Sequence, residues 1–433
     1  MARQFPQLLI SDAKGKISIL ESVEAAGMKA GHPFRLSPQE LVKLPPASQV
    51  FMLPERAPVG YSPEAGAFVA IPRNPSAPKD EPCFAVAAFT APGYTLTYSA
   101  SYQEIGKPQT LPLYAYGAVA SYGGDLYAAA MRVDKDKRHD ARFIDIGLVR
   151  RKAREFKKIF PRNRLVSHLE TCALVYNCPN AQNFFLSRYE CPLPTSPTCN
   201  AMCAGCISYQ PGARCKATQP RIAFVPTPEE IAEIALYHIE RVDDPVASFG
   251  QGCEGEPLLA AGVIEKAIRL IRQRTDKGII NMNTNASKPA VLARLFDAGL
   301  DSMRVSINSV RKPYYTRYYK PRYYTFSDVL SSIRLAKKKG VFVSLNYLAM
   351  PGFTDSEDEF NALKRFIGTY KIDMIQWRNL NFDPLQYFRE IKASVSASYL
   401  LGIREIMKRL KREYPRLMMG YFNPALSKMK KRS

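Results

Sequence analysis

From about residue 185 onward the apolar and polar positions repeat in one pattern. A short apolar run is followed by a longer stretch with apolar residues at three- and four-residue spacing. "PVASFGQG" leads to "LLAAGVIEKAIRLIRQRT", "GIINMNTN" to "KPAVLARLFDAG", "SMRVSIN" to "TFSDVLSSIRLAKKKG", and "VFVSLNYLAM" to "SEDEFNALKRFIGTY". "IDMIQWRNL" closes the series. Apolar runs alternating with helical periods predict parallel strands joined by crossover helices. Local end signals agree. In "RIAFVPTPEEIAEIALYHIERV", Thr227, Pro228 and Glu230 read as N-cap, first and third helical positions of a capping box. Ile231, Ile234, Ala235, His238 and Ile239 then form an apolar stripe, on which His238 reads as a packed core residue. Gly299 and Gly340 stand where two further helices should stop. About six units fit, against eight for a full barrel. The expected class is α/β, an incomplete (β/α)6 TIM-like barrel with a β-rich N-terminal domain.

Residues 1–146 carry the short-strand pattern of that N-terminal domain. "QLLISDAKGKISIL" predicts two strands around an Asp-Ala-Lys-Gly turn, and "YGAVASYGGDLYAAAMRV" a hairpin with Gly123-Gly124-Asp125 at its tip. "IPRNPSAPKDEP" reads as a Pro-rich loop. No catalytic motif stands out here, so recognition or scaffolding is the expected role. Residues 147–190 form a linker whose basic helix, "GLVRRKAREFKKIFPRNRLVSHLE", breaks near Pro161. Residues 191–390 hold the barrel, and 391–433 a basic helix, "SYLLGIREIMKRLKREY", with a charged tail.

The 433 residues suffice for more than one domain, and 46% hydrophobic with 23% charged content is ordinary for a globular chain. No apolar run is long enough for a transmembrane helix, and the first residues lack a signal-peptide core, so a cytoplasmic location without membrane contact is expected. The net charge of +22 points toward an anionic partner, RNA or an acidic peptide, or toward solvated lysines alone. Nine cysteines are too few for a disulfide scaffold, and clustered thiols in a reducing compartment indicate metal or redox chemistry.

Three of them fall in "CNAMCAGC": Cys199, Cys203 and Cys206, spaced Cys-x3-Cys-x2-Cys after the strand-like "NFFLSRY" and a Pro-rich loop. A structural zinc site takes four ligands, commonly as two separated pairs. Three thiolates on one short loop instead suit a cubane cluster whose fourth iron stays open, and Ala201, Ala204 and Gly205 let the loop wrap closely. This motif resembles that of the radical S-adenosylmethionine (SAM) superfamily, with Gly205 where the family often has an aromatic. The resemblance extends over roughly residues 190–385. "GQGCEGEPL" looks like the family's Gly-Gly-Glu-Pro element, with Glu254 in place of the first of its glycines. Thr284 and Asn285 resemble its Thr-Asn-Gly element, while Ser306 and Asn308 resemble contacts to SAM's ribose or carboxylate. Asn346 and the Met350-Pro351-Gly352 turn resemble the adenine-side loop, and Gln376, Arg378 and Asn379 end the sixth strand at the barrel mouth.

The resemblance implies a [4Fe-4S] cluster on Cys199, Cys203 and Cys206, and SAM held by Gly255, Glu256, Thr284, Asn285, Ser306, Asn308 and Asn346. It also implies an electron donor such as flavodoxin or ferredoxin, and reductive cleavage of SAM to a 5′-deoxyadenosyl radical that abstracts hydrogen. Cys172, Cys178, Cys191 and Cys215 are candidate ligands of an auxiliary metal site, or buried free thiols. Cys253 is a small buried residue or a thiol near the radical path. "RKPYYTRYYKPRYYTF" interleaves cations and tyrosines, and places Tyr318 and Arg322 either in substrate contact or in a packed rim. Arg378 is a third candidate substrate contact. RNA or a peptide is the expected substrate class, with a small metabolite or activation of a partner enzyme as alternatives. A basic nucleic-acid-binding protein with a structural metal site is the reading outside enzymology.

Overall fold

The computed structural model describes residues 5–76, 81–212 and 215–430. Part of the Pro-rich loop and the last residues of the charged tail lie outside them. One parallel sheet holds seven strands in the order Glu190–Pro192, Val246–Phe249, Ile279–Thr284, Ser302–Ile307, Phe342–Ala349, Met374–Asn379 and Met418–Gly420. Helices Pro228–Arg241, Ala261–Arg272, Pro289–Ala298, Phe326–Lys338 and Glu357–Tyr370 cover its outer face. The largest apolar core lies between these layers, with Trp377, Tyr347 and Phe249 fully buried in it. The capping box of Thr227 and Glu230 forms, Gly299 closes its helix with φ 112°, and His238 is 1% exposed.

Two local readings change. "NFFLSRY" is not a strand: Pro179 opens helix Pro179–Phe185, and Phe184 and Phe185 are buried against Phe156. The C-terminal segment is not only helix and tail. After helix Ile403–Glu413, residues Met418–Gly420 pair with Met374–Gln376 and add a seventh strand. Asn423 then reaches across the barrel, donating to Glu190 Oε1 at 2.9 Å and accepting from Gln376 at 3.1 Å. The two edge regions of the open sheet are thus bridged through side chains.

The N-terminal part is a twelve-stranded, largely antiparallel sheet. Gln7–Ser11 pairs with Ile17–Lys29 around Asp12, whose carboxylate accepts from the Lys14 and Lys16 N–H groups. Val119–Tyr122 and Asp125–Ala128 form a hairpin in which Tyr122 pairs with Asp125, and Gly123 and Gly124 supply the positive φ of 59° and 84°. This part docks on the barrel's carboxyl-end side. Asn379 bonds the backbone of Tyr94 and Leu96 at 3.0 and 2.8 Å. Arg56 donates to Asp383 at 3.0 Å with both side chains buried. Gly352 packs on the Lys29–Ala30 backbone, so the Met350-Pro351-Gly352 turn lies under the N-terminal sheet.

Candidate functional site

The cysteine loop leaves the end of strand Glu190–Pro192 and is clamped from two sides. On one side stands "GQGCEGEPL", which leaves strand Val246–Phe249. Glu254 accepts from the N–H groups of Thr195 at 2.8 Å, Ser196 at 3.0 Å and Gln251 at 2.6 Å. The Gly255 N–H donates to Ser196 O at 2.6 Å, and the Glu256 N–H to Thr198 O at 2.8 Å. A Cβ on Gly255 would stand 1.9 Å from Thr198 O, so this crossing requires glycine. Glu254, which departs from the family pattern, therefore does the tying.

On the other side stands the tyrosine run. It is a packed element rather than an open mouth loop: Lys312–Tyr319 is helical, and Tyr315, Tyr318, Tyr319 and Tyr324 are buried. The N–H groups of Met202 and Ala204 donate to Tyr319 O and Tyr318 O at 3.0 and 2.9 Å, and that of Arg322 to Asn200 O at 2.8 Å. An added Cβ on Gly205 would lie 2.7 Å from the Tyr318 hydroxyl. The aromatic filler expected beside Cys206 is thus supplied from Tyr318, which backs the loop.

Cys199, Cys203 and Cys206 open into one cavity of about 340 Å³, within the range of small-molecule sites. Gly255, Glu256, Thr284, Asn285, Ser306, Asn346 and Arg378 line it with them. Ser306 and Asn346 sit side by side in register on neighbouring strands. Glu256 accepts from the Thr284 hydroxyl, the Asn285 N–H at 2.8 Å and the Leu258 N–H at 3.2 Å. Burial pushes its carboxyl up to about 7, as it does that of Glu254. Asn285 donates to Asn200 at 2.7 Å, joining the third strand's end to the cysteine loop. Asn346 Oδ1 and the Tyr319 hydroxyl are buried in the cavity wall without a hydrogen-bond partner among the described residues. Asn308 is not in this wall: its amide donates to Tyr314 O and the Tyr387 hydroxyl, behind the strand end.

Arg304, Arg221 and His139 are among the cavity groups that escaped sequence reasoning. Arg304 projects from strand Ser302–Ile307 and donates to Gln376 Oε1 at 2.9 Å. Burial, then the nearby Arg378 charge, push its guanidinium down to about 9. An arginine inside an apolar strand was the available signal. Arg221 lies 3.6 Å from Cys206 Sγ, a cation beside the thiols. His139 enters from the segment after the N-terminal sheet, donates from Nε2 to Asn180 Oδ1 at 2.6 Å, and is held neutral by burial, at about 3. Arg378 donates to Tyr421 O at 3.1 Å and stacks 4.1 Å over its ring.

The four flanking cysteines do not come together as a set. Cys191 is fully buried on the first parallel strand, with its thiol toward Ile234 O, and Cys215 lines a separate cavity near Arg56. Cys172 instead meets Cys253 and His168: their ligand atoms all lie within 4.8 Å of one another.

Residues 193–363 match the family model of the Radical SAM superfamily. That segment, about two fifths of the chain, carries a Radical SAM domain. Among curated proteins, the FeMo cofactor biosynthesis protein NifB of Klebsiella pneumoniae is 24% identical over 178 residues, 38% of this chain and 38% of that protein. The chain therefore matches little more than a third of that relative's length. Among solved structures, anSMEcpe with bound AdoMet is 17% identical, covering 54% of this chain and 64% of that one, with a TM-score of 0.38. HydG, a maturase of the [FeFe]-hydrogenase, is 16% identical, covering 67% and 70%, also with a TM-score of 0.38.

The residues present fit the superfamily's [4Fe-4S] cluster and SAM. Burial pushes the Cys199 thiol up to about 11 and the Cys203 thiol well above its ordinary value. What fits the cluster is the donor set itself, three cysteine sulfurs from one short loop lining a single cavity. The unpartnered Asn346 oxygen is an acceptor suited to a ligand's amino group.

Proposed function

We propose that the chain is a radical SAM enzyme with Cys199, Cys203 and Cys206 as iron ligands, acting on an anionic substrate. The observation that carries the reading is the shared cavity of the three thiols with Glu256, Thr284, Asn285, Ser306 and Asn346. Cys199, Cys203 and Cys206 would hold the cluster and the polar strand ends would hold SAM, and together these groups would supply radical hydrogen abstraction from a substrate.

Each protein group has a narrower task. The Glu254 and Gly255 hydrogen bonds hold the cysteine loop to the second strand, and Tyr318 and Tyr319 hold it to the fourth. Backbone carbonyls around Gly255 and the Glu256 carboxylate suit an ammonium group. Ser306 and Asn346 suit hydroxyl and amino groups of a nucleoside. Arg304 and Arg378 put two cations on the wall away from the cysteine loop, which favours a substrate carboxylate or phosphate. The N-terminal sheet packs on the same end of the barrel. The cavity's volume of about 340 Å³ favours a small anionic molecule or an extended peptide segment over a folded RNA.

The test is anaerobic turnover with dithionite and SAM. The reconstituted protein should hold about four irons at this site and release 5′-deoxyadenosine, and Cys203→Ala should abolish release. Unchanged release from that variant overturns the placement. Deuterium transfer from candidate substrates into deoxyadenosine then identifies the substrate, and an electron donor of the flavodoxin or ferredoxin class should replace dithionite.

A further inference from the structure

Helix Arg164–Leu174 carries His168 and Cys172 four residues apart, on one face. Cys253 reaches them from the loop after strand Val246–Phe249, the same loop that holds Glu254 and Gly255. His168 Nε2 and Cys172 Sγ are 3.5 Å apart, and both lie within 4.8 Å of Cys253 Sγ. A tetrahedral zinc ion with Zn–S of about 2.3 Å and Zn–N of about 2.0–2.1 Å sets its sulfur and nitrogen ligands about 3.5 Å apart. A cubane spreads its thiolates over separate corners, wider than this set. The group is also not exhausted by packing. It borders a second cavity of about 490 Å³, into which Cys172, Cys178 and Cys253 all open. Gln251, Gly252, His139 and Arg378 wall both this cavity and the one holding the cysteine triad.

We propose that His168, Cys172 and Cys253 bind a single zinc ion, with the fourth coordination position open to the second cavity. Two thiolates and an imidazole are the donor set that selects zinc over magnesium or calcium. No fourth such side chain among the described residues joins the set, so water or a small anionic or thiol ligand completes it. Cys178 stands by: its N–H donates to Cys172 O at 2.9 Å and shapes the turn, while its sulfur stays outside the set. The ion would tie helix Arg164–Leu174 to the loop that crosses the cysteine triad. The site thus lies between the linker and the radical SAM core.

The proposal is independent of the iron site, and the experiment keeps them apart. The full chain carrying Cys199→Ala, Cys203→Ala and Cys206→Ala is purified without oxygen and titrated with Co²⁺. About one Co²⁺ per chain should bind with the visible bands of a tetrahedral site and sulfur-to-cobalt charge transfer, and Zn²⁺ should displace it. Cys172→Ala and Cys253→Ala should each lose charge-transfer intensity, and Cys178→Ala should leave it unchanged. His168→Gln should weaken zinc binding beyond the ten- to hundredfold typical of outer-shell changes, and His168→Cys should restore it. Should the triple variant fold poorly, zinc content of the intact reconstituted chain is compared with that of His168→Gln. Absence of cobalt binding, unchanged affinity in His168→Gln, or an iron–sulfur chromophore in the triple variant that Cys172→Ala removes would each overturn the proposal.

Discussion

Replacing Gly255 by alanine tests how tightly the cysteine loop must be held. The new Cβ would lie 1.9 Å from Thr198 O, 2.4 Å from its carbonyl carbon and 3.1 Å from the Cys199 N–H nitrogen. Ordinary contact begins near 3.4 Å, so Thr198 must retreat by more than an ångström. All of the near atoms are backbone, and the first iron ligand follows immediately. The Gly255 N–H to Ser196 O bond of 2.6 Å would lengthen or break in the same movement. Overpacking of this kind costs about 1–3 kcal/mol of stability. Misplacing a reactive group by about 1 Å costs about a hundredfold in rate. Gly255→Ala should therefore keep most of its iron, while deoxyadenosine release under saturating reductant falls about a hundredfold. Gly262→Ala is the matched control, because nothing lies within 4 Å of its added Cβ and it sits exposed in helix Ala261–Arg272. It should turn over normally and gain about 0.5–1 kcal/mol in urea denaturation. Wild-type turnover by Gly255→Ala would refute the claim that this crossing positions the cluster ligands.

Asp383→Ala strands the buried Arg56 charge and removes bonds from Tyr102 and the Leu111 N–H, so it should cost about 3–5 kcal/mol by urea denaturation. Arg56→Met with Asp383→Leu should cost less than that single change, and equal costs would argue against a buried pair. Burial pushes His238 from 6.5 down to about 4, so the folded chain keeps it neutral while the unfolded chain protonates it first. Its contribution is present above pH 6.5 and is lost as pH falls toward 4, by up to about 3 kcal/mol. His238→Gln should flatten denaturation midpoints across that window, and an unchanged slope would count against burial. Asn346→Ala removes the unpartnered cavity acceptor and should raise the dissociation constant for SAM about tenfold by anaerobic equilibrium dialysis, with stability unchanged. Unaltered affinity would place SAM elsewhere in the cavity.

What the sequence determined by itself was local. Strand and helix order from residue 246 to 379 follows from hydrophobic period and end signals, each written within a few neighbouring residues. The cysteine triad is also local, because three thiols within eight residues must share one loop. The polar strand ends could be named because parallel strands deliver their carboxyl ends to one side. Only the tertiary structure decided which of those polar groups face the cavity. Asn346 does and Asn308 does not, a difference of side-chain direction at the strand end. It also decided that the tyrosine run supports the cysteine loop, since burial of Tyr318 and Tyr319 depends on what packs over them. The strand Met418–Gly420 is three residues long, too short for any period to show, and exists because a partner edge was open. His168 and Cys172 are one helical turn apart, but Cys253 stands far along the chain. No spacing rule joins them. Packing of helix Arg164–Leu174 against the loop after the second parallel strand does.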